Sequence, residues 1–213
     1  MLYGPSVPSQ CVTVTVPFTR PKVGPTASFA EVLERRRSGI GHSVSWQRIA
    51  DLLWFAAGVR GSCEAGRAGL PVQWSACPSA GGLGCLHIIC VSENSSRPRL
   101  YDPVGHCLIE LDVDPLVVTA ANRQVVEAVT GAYRGCTLRL VADWAKLSAA
   151  YINAESLLFR DAGSLTATLG LTAAWLDLTA CPLGFVGDNL VPRLGFPSDR
   201  FRAAGAVQIG DMN

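Results

Sequence analysis

The sequence contains little charge and no excess of either sign. Charged residues make up 16% of its 213 residues, and the formal net charge is +1 with a pI near 7.6. Nucleic-acid-binding proteins usually carry a basic stripe or patch, and the basic residues here form no such stripe. We therefore expect neither nucleic acid nor an anionic membrane as a partner.

Long apolar runs are also missing. The best candidate, Leu157 to Leu178, is interrupted by Arg160, Asp161 and Asp177, whereas a membrane-spanning helix needs about 20 predominantly apolar residues. Residues 1–10 have neither the basic start nor the apolar run of a signal peptide. The expected location is the cytoplasm, with no membrane association.

No metal-binding motif is present. None of the eight cysteines forms a Cys-x-x-Cys pair, and neighbours such as Ile89 and Val91 around Cys90 predict buried free thiols. The three histidines form no metal constellation either. We expect His87 in the core, since it lies within an apolar run, and both His42 and His106 in solvent.

Apolar residues, in contrast, are abundant. They make up 49% of the chain, which predicts one domain with a large core or a core that continues into a subunit interface. Residues 1–26 are rich in proline and β-formers and predict an N-terminal arm with an edge strand at 11–16. Residues 27–213 then form a single domain.

The periodicity of the rest predicts an α+β sheet domain, because strands and helices interleave without a strict βαβ rhythm. Ser28 and Glu31 form a capping box, and Ser45 and Gly58 are typical N-cap and stop residues. Asp143 and Asp161 are expected to cap or pair at helix ends. The predicted helices are 29–37, 46–57, 115–133, 154–178 and a short one at 187–194, and the predicted strands are 86–91, 99–102, 107–112, 137–142 and 206–209.

Two segments carry the functional signal. Arginines 35–37 lie at a predicted helix end, and about forty residues later comes Pro78-Ser79-Ala80-Gly81-Gly82-Leu83. Guanidinium groups bind phosphate, and glycines let a flat ring approach the backbone. Together the segments favour a phosphate-bearing ring ligand, and at this point a flavin, another nucleotide and no ligand at all stay open. Separately, they are typical of a solvated helix end and an ordinary turn.

Six short motifs follow one another along the chain: Arg-Arg-Ser (36–38), Leu-Leu-Trp-Phe-Ala-Ala-Gly (52–58), Pro-Ser-Ala-Gly-Gly-Leu (78–83), Tyr-Asp-Pro (101–103), Asp-Ala-Gly (161–163) and Cys-Pro-Leu-Gly (181–184). Their order resembles the nitroreductase-like flavoprotein superfamily, and most of all its SagB-type dehydrogenases, which oxidise azoline rings in ribosomal peptide natural products. The resemblance spans residues 10–211.

The resemblance implies an FMN-binding homodimer with a mostly antiparallel central sheet flanked by helices, and with the long helix 154–178 at the dimer interface. It also assigns the cofactor-binding residues. Arg36, Arg37 and Ser38 would face the phosphate and ribityl chain; Pro78, Ser79, Ala80 and Gly82 would lie against the ring; Pro182, Leu183 and Gly184 would place a backbone amide near the reactive flavin nitrogen.

Lys146 and Tyr151 are the catalytic candidates, because azoline oxidases carry a Lys-Tyr pair before the long helix. A surface lysine and a packing tyrosine are the structural alternatives. Three functions stay open. The leading one is hydride transfer between FMN and a small or peptide-derived substrate; the others are a general NAD(P)H-dependent nitro or quinone reductase, and a non-catalytic partner subunit in a biosynthetic complex. The last is favoured by Ile40, which replaces a usual basic residue, and by the separation of Lys146 from Tyr151.

Overall fold

The computed structural model describes residues 12–66 and 69–212, which form a central sheet with helices on both faces. The helices are α1 (Phe29–Arg35), α2 (Trp46–Ala57), α3 (Pro115–Thr130), α4 (Trp144–Ala150) and α5 (Ala154–Trp175). The strands are β1 (Val12–Pro17), β2 (Gly61–Cys63), β3 (Val72–Trp74), β4 (Leu86–Ser92), β5 (Arg99–Asp102), β6 (Cys107–Leu111), β7 (Cys136–Asp143), β8 (Leu178–Leu183) and β9 (Phe201–Asp211).

Seven strands form the main sheet in the order β1-β6-β5-β4-β7-β9-β8, and every neighbouring pair is antiparallel. β2 and β3 form a separate hairpin. The predicted α+β class with an antiparallel sheet is confirmed. β1 is an edge strand of this sheet, as the alternating sequence predicted. The predicted strand was 11–16; Cys11 and the residues before it lie outside the described part of the chain.

Successive residues of the central strands face two separate cores, as the period of a strand requires. Ile88 and Cys90 of β4 pack into the core under α2, α4 and α5. Ile89 and Val91 pack into a second core, which α3 and the short turns at 188–190 and 192–194 cover. The sheet therefore separates the α5 face from the α3 face.

Capping residues mark the starts of several helices. Ser28 accepts the Glu31 N–H and the Glu31 carboxylate accepts the Ser28 N–H, so the capping box is present. Ser45 caps α2, which ends before Gly58. Asp143 caps α4, accepting the Lys146 N–H at 3.0 Å, and forms an ion pair with Arg200 at 2.8 Å.

Several predicted boundaries were wrong. The first helix ends at Arg35, so the next two arginines lie beyond it, and the long helix ends at Trp175 because Asp177, with φ of 53°, turns the chain into β8. The region 187–194 forms two 3₁₀ turns, and the last strand begins at Phe201. β2, β3, β8 and α4 were not predicted.

The prediction for His106 was also wrong: its side chain is fully buried rather than in solvent. The segment after β1 covers it, since the Phe18 N–H donates to the His106 carbonyl and Arg20 donates to Val104. The ring packs against Trp54, and the Tyr101 hydroxyl lies 3.1 Å from its Nδ1. His42 is exposed, as expected.

His87 packs between the rings of Phe196 and Phe201, with Asp143, Lys146 and Arg200 around it. Burial lowers the pKa of His87 to about 4; the Asp143 carboxylate opposes this shift, and the cations Lys146 and Arg200 add to it. Within residues 12–66 and 69–212, no helix combines the length and apolar character that a bilayer crossing requires, and no group of His, Cys, Asp and Glu could hold a metal ion.

His87 should make the fold sensitive to mild acid. Its pKa is lower in the folded chain than in the unfolded one, so the unfolded chain takes up the proton first. The free energy of unfolding should therefore fall as the pH drops from about 6.5 to about 4. Because His87 is only partly shielded from solvent, we expect a loss of about 1–2 kcal/mol rather than the ~3 kcal/mol of a fully buried group.

Denaturant unfolding at a series of pH values measures this loss. A His87→Phe variant should show a shallower dependence in that window, and the exposed His42→Phe should behave like the unsubstituted chain. Parallel curves for His87→Phe and the unsubstituted chain would contradict the assignment to His87.

Candidate functional site

The segment 78–84 forms a tight turn whose shape depends on glycine. Residues Ala80–Gly82 make a 3₁₀ turn, and Gly81, Gly82 and Gly84 all have positive φ, at 57°, 68° and 59°. A Cβ on Gly81 would lie 2.4 Å from the Tyr151 hydroxyl oxygen. The backbone of the turn is therefore pressed against Tyr151, and a side chain at 81 would displace one or the other.

Asp161 holds this turn from the second turn of α5. Its two carboxylate oxygens accept the Ala80 N–H at distances of 3.0 and 2.8 Å, and the residue is only 8% exposed. Burial raises the pKa of Asp161, and the hydrogen bond from Ala80 opposes part of that rise. Asp161 therefore pairs with the backbone of a distant turn, whereas the sequence predicted that it caps or pairs at a helix end.

Lys146 holds the other end of the turn. Its Nζ donates to the Leu83 carbonyl at 2.5 Å, and the residue is half-buried, so it is not the free surface charge that was one sequence alternative. Lys146 belongs to α4, and Tyr151 is the C-cap residue of that helix. The structure thus brings both catalytic candidates to the predicted ring-binding turn.

The arginine segment, residues 35–38, lies away from the glycine turn and beside β8. Ser38 forms a parallel bridge with Ala180, and the Gly39 N–H donates to the Ala180 carbonyl. Arg35 binds Asp177 at 3.1 Å and the Trp175 carbonyl at 3.3 Å, which fixes the end of α1 against the end of α5. The structure therefore places Ser38 next to β8, the strand that carries residues 181–183 and leads into Gly184.

The side chains of this second region are open to solvent. Arg36, Arg37, Ser38, Pro182 and Gly184 are exposed, while Leu183 is buried. The Arg37 Nη1 donates to the carbonyls of Glu34 and Arg36, at 2.6 and 2.8 Å. Arg37 is thus folded back over the helix end, with guanidinium nitrogens left to face an anion.

A cysteine lies next to each of the two regions. Cys77 precedes the glycine turn and Cys181 precedes Pro182, and burial raises the pKa of both thiols. A thiol needs a lowered pKa to be a nucleophile at neutral pH. Neither cysteine is therefore activated.

The glycine turn and the arginine segment lie at opposite ends of α5. Asp161 holds the turn near the start of the helix, and Arg35 binds the carbonyl of Trp175 at its last residue. Fourteen residues of α-helix separate these contacts, which is about 20 Å along the axis.

Several solved structures share this fold. A putative nitroreductase from Ralstonia eutropha superposes with a TM-score of 0.70 at 20% identity, covering 100% of this chain and 95% of that one. A putative nitroreductase from Desulfovibrio desulfuricans, solved with FMN, gives 0.53 at 17% identity over 87% of each chain. A chain of the Escherichia coli microcin synthetase McbBCD complex, with truncated pro-MccB17 bound, gives 0.64 at 15% identity over 92% of this chain and 77% of that one. No family model and no curated protein matches the sequence. The chain has a nitroreductase-like fold.

Proposed function

We propose that this protein is an FMN-dependent oxidoreductase that acts as a homodimer and transfers a hydride between FMN and a small or peptide-derived natural-product substrate. One observation carries the proposal: within a nitroreductase-like fold, the glycine turn is fixed by Asp161 and meets Tyr151, as a ring-binding segment beside a proton donor would require. FMN, when bound, supplies the hydride chemistry.

The residues present fit this cofactor. Gly81 and Gly82 leave the turn without side chains, so a flat ring can lie against Pro78, Ser79, Ala80 and Gly82. Arg36, Arg37 and Ser38 offer exposed guanidinium and hydroxyl groups for the phosphate and ribityl chain. Pro182 and Leu183 end β8, the strand that Ser38 pairs with at Ala180, and the backbone of these two residues and Gly184 would serve the ring.

In a dimer of this chain, the glycine turn and the arginine segment could bind the same ligand. Since the glycine turn and the arginine segment lie about 20 Å apart along α5, antiparallel pairing of two α5 helices would bring the turn of one copy to the arginines of the other. The exposed face of α5 suits close packing, because it carries Gly163, Ala167 and Gly170, and nothing lies within 4 Å of a Cβ built on either glycine.

The catalytic roles follow from the contacts of the turn. Tyr151 presents its hydroxyl at Gly81, where it can donate or accept a proton at a substrate held over the ring. Lys146 donates to the Leu83 carbonyl and so positions the turn. The direct part in proton transfer therefore falls to Tyr151.

The likeness to a microcin synthetase complex that holds truncated pro-MccB17 supports a modified-peptide substrate and presentation by a partner protein. The likeness to proteins described as putative nitroreductases supports the general NAD(P)H-dependent nitro or quinone reductase. The partner-subunit alternative keeps its basis in Ile40, which is 36% exposed, and in the separated Lys146 and Tyr151.

FMN titration of the purified protein tests the proposal. The unsubstituted chain should be yellow or take up added FMN, and dithionite should bleach it. An Arg36→Ala/Arg37→Ala variant should bind FMN about tenfold more weakly, because it loses charge-assisted hydrogen bonds at an exposed position. Fluorescence quenching of free FMN measures both dissociation constants.

Arg97→Ala is the matched control, since Arg97 pairs with Asp112 away from both regions and should leave FMN affinity unchanged. A colourless protein that takes up no FMN would eliminate both enzyme functions and leave the partner subunit. If flavin binds, bleaching by NAD(P)H alone favours the general reductase, and bleaching only by substrate favours the dehydrogenase.

A further inference from the structure

Arg139 is a buried arginine on the sheet face opposite α5. It lies on β7, is 3% exposed, and its Nε donates to the Asn122 Oδ1 of α3 at 2.8 Å. The Asn122 amide donates in turn to the Thr137 hydroxyl, which bonds Gln208. The guanidinium also lies 4.6 Å from the centroid of the Phe185 ring. One edge of the guanidinium is therefore fixed in place.

Its other edge has no partner within the described residues. Nη1 and Nη2 are inaccessible to solvent, no oxygen among residues 12–66 and 69–212 accepts from them, and no carboxylate there pairs with Arg139. Burial lowers the pKa of Arg139 to about 10, so the side chain is still a cation at neutral pH. An unpaired buried cation is costly, and native structures normally neutralise it.

Arg139 is one of the residues that line a small cavity. Gly187 stands directly in front of the guanidinium: a Cβ there would lie 2.5 Å from Nη1, and the φ of Gly187 is 95°, which favours glycine. Val186, Leu194 and Gly205 are among the other lining residues, and the cavity volume is about 10 Å³. That is the space that one water-sized group needs. Val186 is 39% exposed, so the cavity lies close to solvent.

We infer that this cavity is a structural binding site for one small monovalent inorganic anion, such as chloride, held by Nη1 and Nη2 of Arg139. Such an ion supplies the missing charge and accepts both orphaned N–H groups, and the apolar lining leaves no room for a larger oxyanion. The bound ion would fix residues 185–187, which directly follow Pro182–Gly184. The site lies on the α3 face, so it does not depend on the proposed flavin function.

Thermal unfolding in chloride, compared with bulky gluconate at equal ionic strength, tests the site. Since a ligand that binds only the folded state raises its stability, we expect the Tm of the unsubstituted chain to be about 5 °C higher in concentrated chloride. Arg139→Met should lose this difference. Arg123→Met, which removes an exposed arginine of α3, is the control and should retain it.

Crystals of the unsubstituted protein grown in bromide give a second readout that does not require any variant to fold. An anomalous peak within hydrogen-bond distance of Nη1 and Nη2 would support the site. Equal Tm values in chloride and gluconate, or density for only a water at that position, would overturn it. FMN titration of the same sample separates these outcomes from any failure of the proposed function.

Discussion

An Ala167→Glu variant is expected to be a folded monomer that has lost its FMN. If two α5 helices pack through the face that carries Gly163, Ala167 and Gly170, the substitution buries two like charges at the centre of the interface. Burial of unpaired charge costs several kcal/mol, and about 4 kcal/mol weakens a dimer roughly 10³-fold. Flavin should be lost with the dimer, since each site of the proposed dimer would need the turn of one copy and the arginines of the other.

The fold of the single chain should tolerate this change. Ala167 is exposed on α5, and glutamate is a good helix former, so the Tm at high dilution should stay within a few degrees of that of the unsubstituted chain. Sedimentation velocity gives the oligomeric state, and the flavin absorption band of the same sample gives the occupancy.

Ala128→Glu, on the exposed surface of α3, is the matched control. It makes the same chemical change on the other side of the sheet and should leave both dimer and flavin intact. A dimeric, fully flavinated Ala167→Glu variant would contradict the proposed interface. A monomeric variant that still binds FMN with full affinity would instead contradict the shared site.

Local chemistry explains which parts of the fold the sequence predicted. Ser28 with Glu31, and Ser45 with Gly58, fix helix ends through hydrogen bonds within a few residues, so those helices were predicted closely. The hairpin of β5 and β6 was also predicted, because its turn likewise depends on residues that are close together in the sequence. β8 was missed because Pro182 lacks an N–H and argues against a strand. The structure tolerates this proline because β8 is an edge strand of the sheet, with β9 as its neighbouring strand.

Contacts between distant segments explain the rest. His106 is buried by residues that precede it by more than eighty positions, and nothing at the hairpin tip itself indicates that cover. The candidate site likewise depends on contacts between residues that are far apart in the sequence. The motifs predicted the glycine turn and the arginines, but no local pattern indicates that Asp161 binds Ala80 or that Lys146 binds Leu83. The Asp-Ala-Gly motif pointed to Asp161 without revealing its partner.

The hydrogen bond between Asp161 and Ala80 underlies the second large effect that we predict. The Asp161→Ala variant should bind FMN about fiftyfold more weakly, and its free energy of unfolding should be lower by about 2 kcal/mol. The substitution leaves the Ala80 N–H without its charged acceptor, and such hydrogen bonds contribute about 1.5–3 kcal/mol. The turn would then no longer be held in a shape that suits a flat ring. Amide hydrogen exchange at Ala80 reports the freed turn directly, and FMN titration reports its consequence.

Asp161→Asn separates the charge from the hydrogen bond. Burial raises the pKa of Asp161, which means that the ionised carboxylate carries a desolvation cost that a neutral amide avoids. The asparagine variant can still accept from Ala80, so its stability should lie near that of the unsubstituted chain and its FMN affinity between those of the other two proteins. Glu155→Ala, an exposed carboxylate of the same helix, should change neither quantity. If Ala80 exchanges at the same rate in Asp161→Ala as in the unsubstituted chain, Asp161 does not hold the turn, and the geometry of the proposed flavin site must depend on Lys146 and Tyr151 instead.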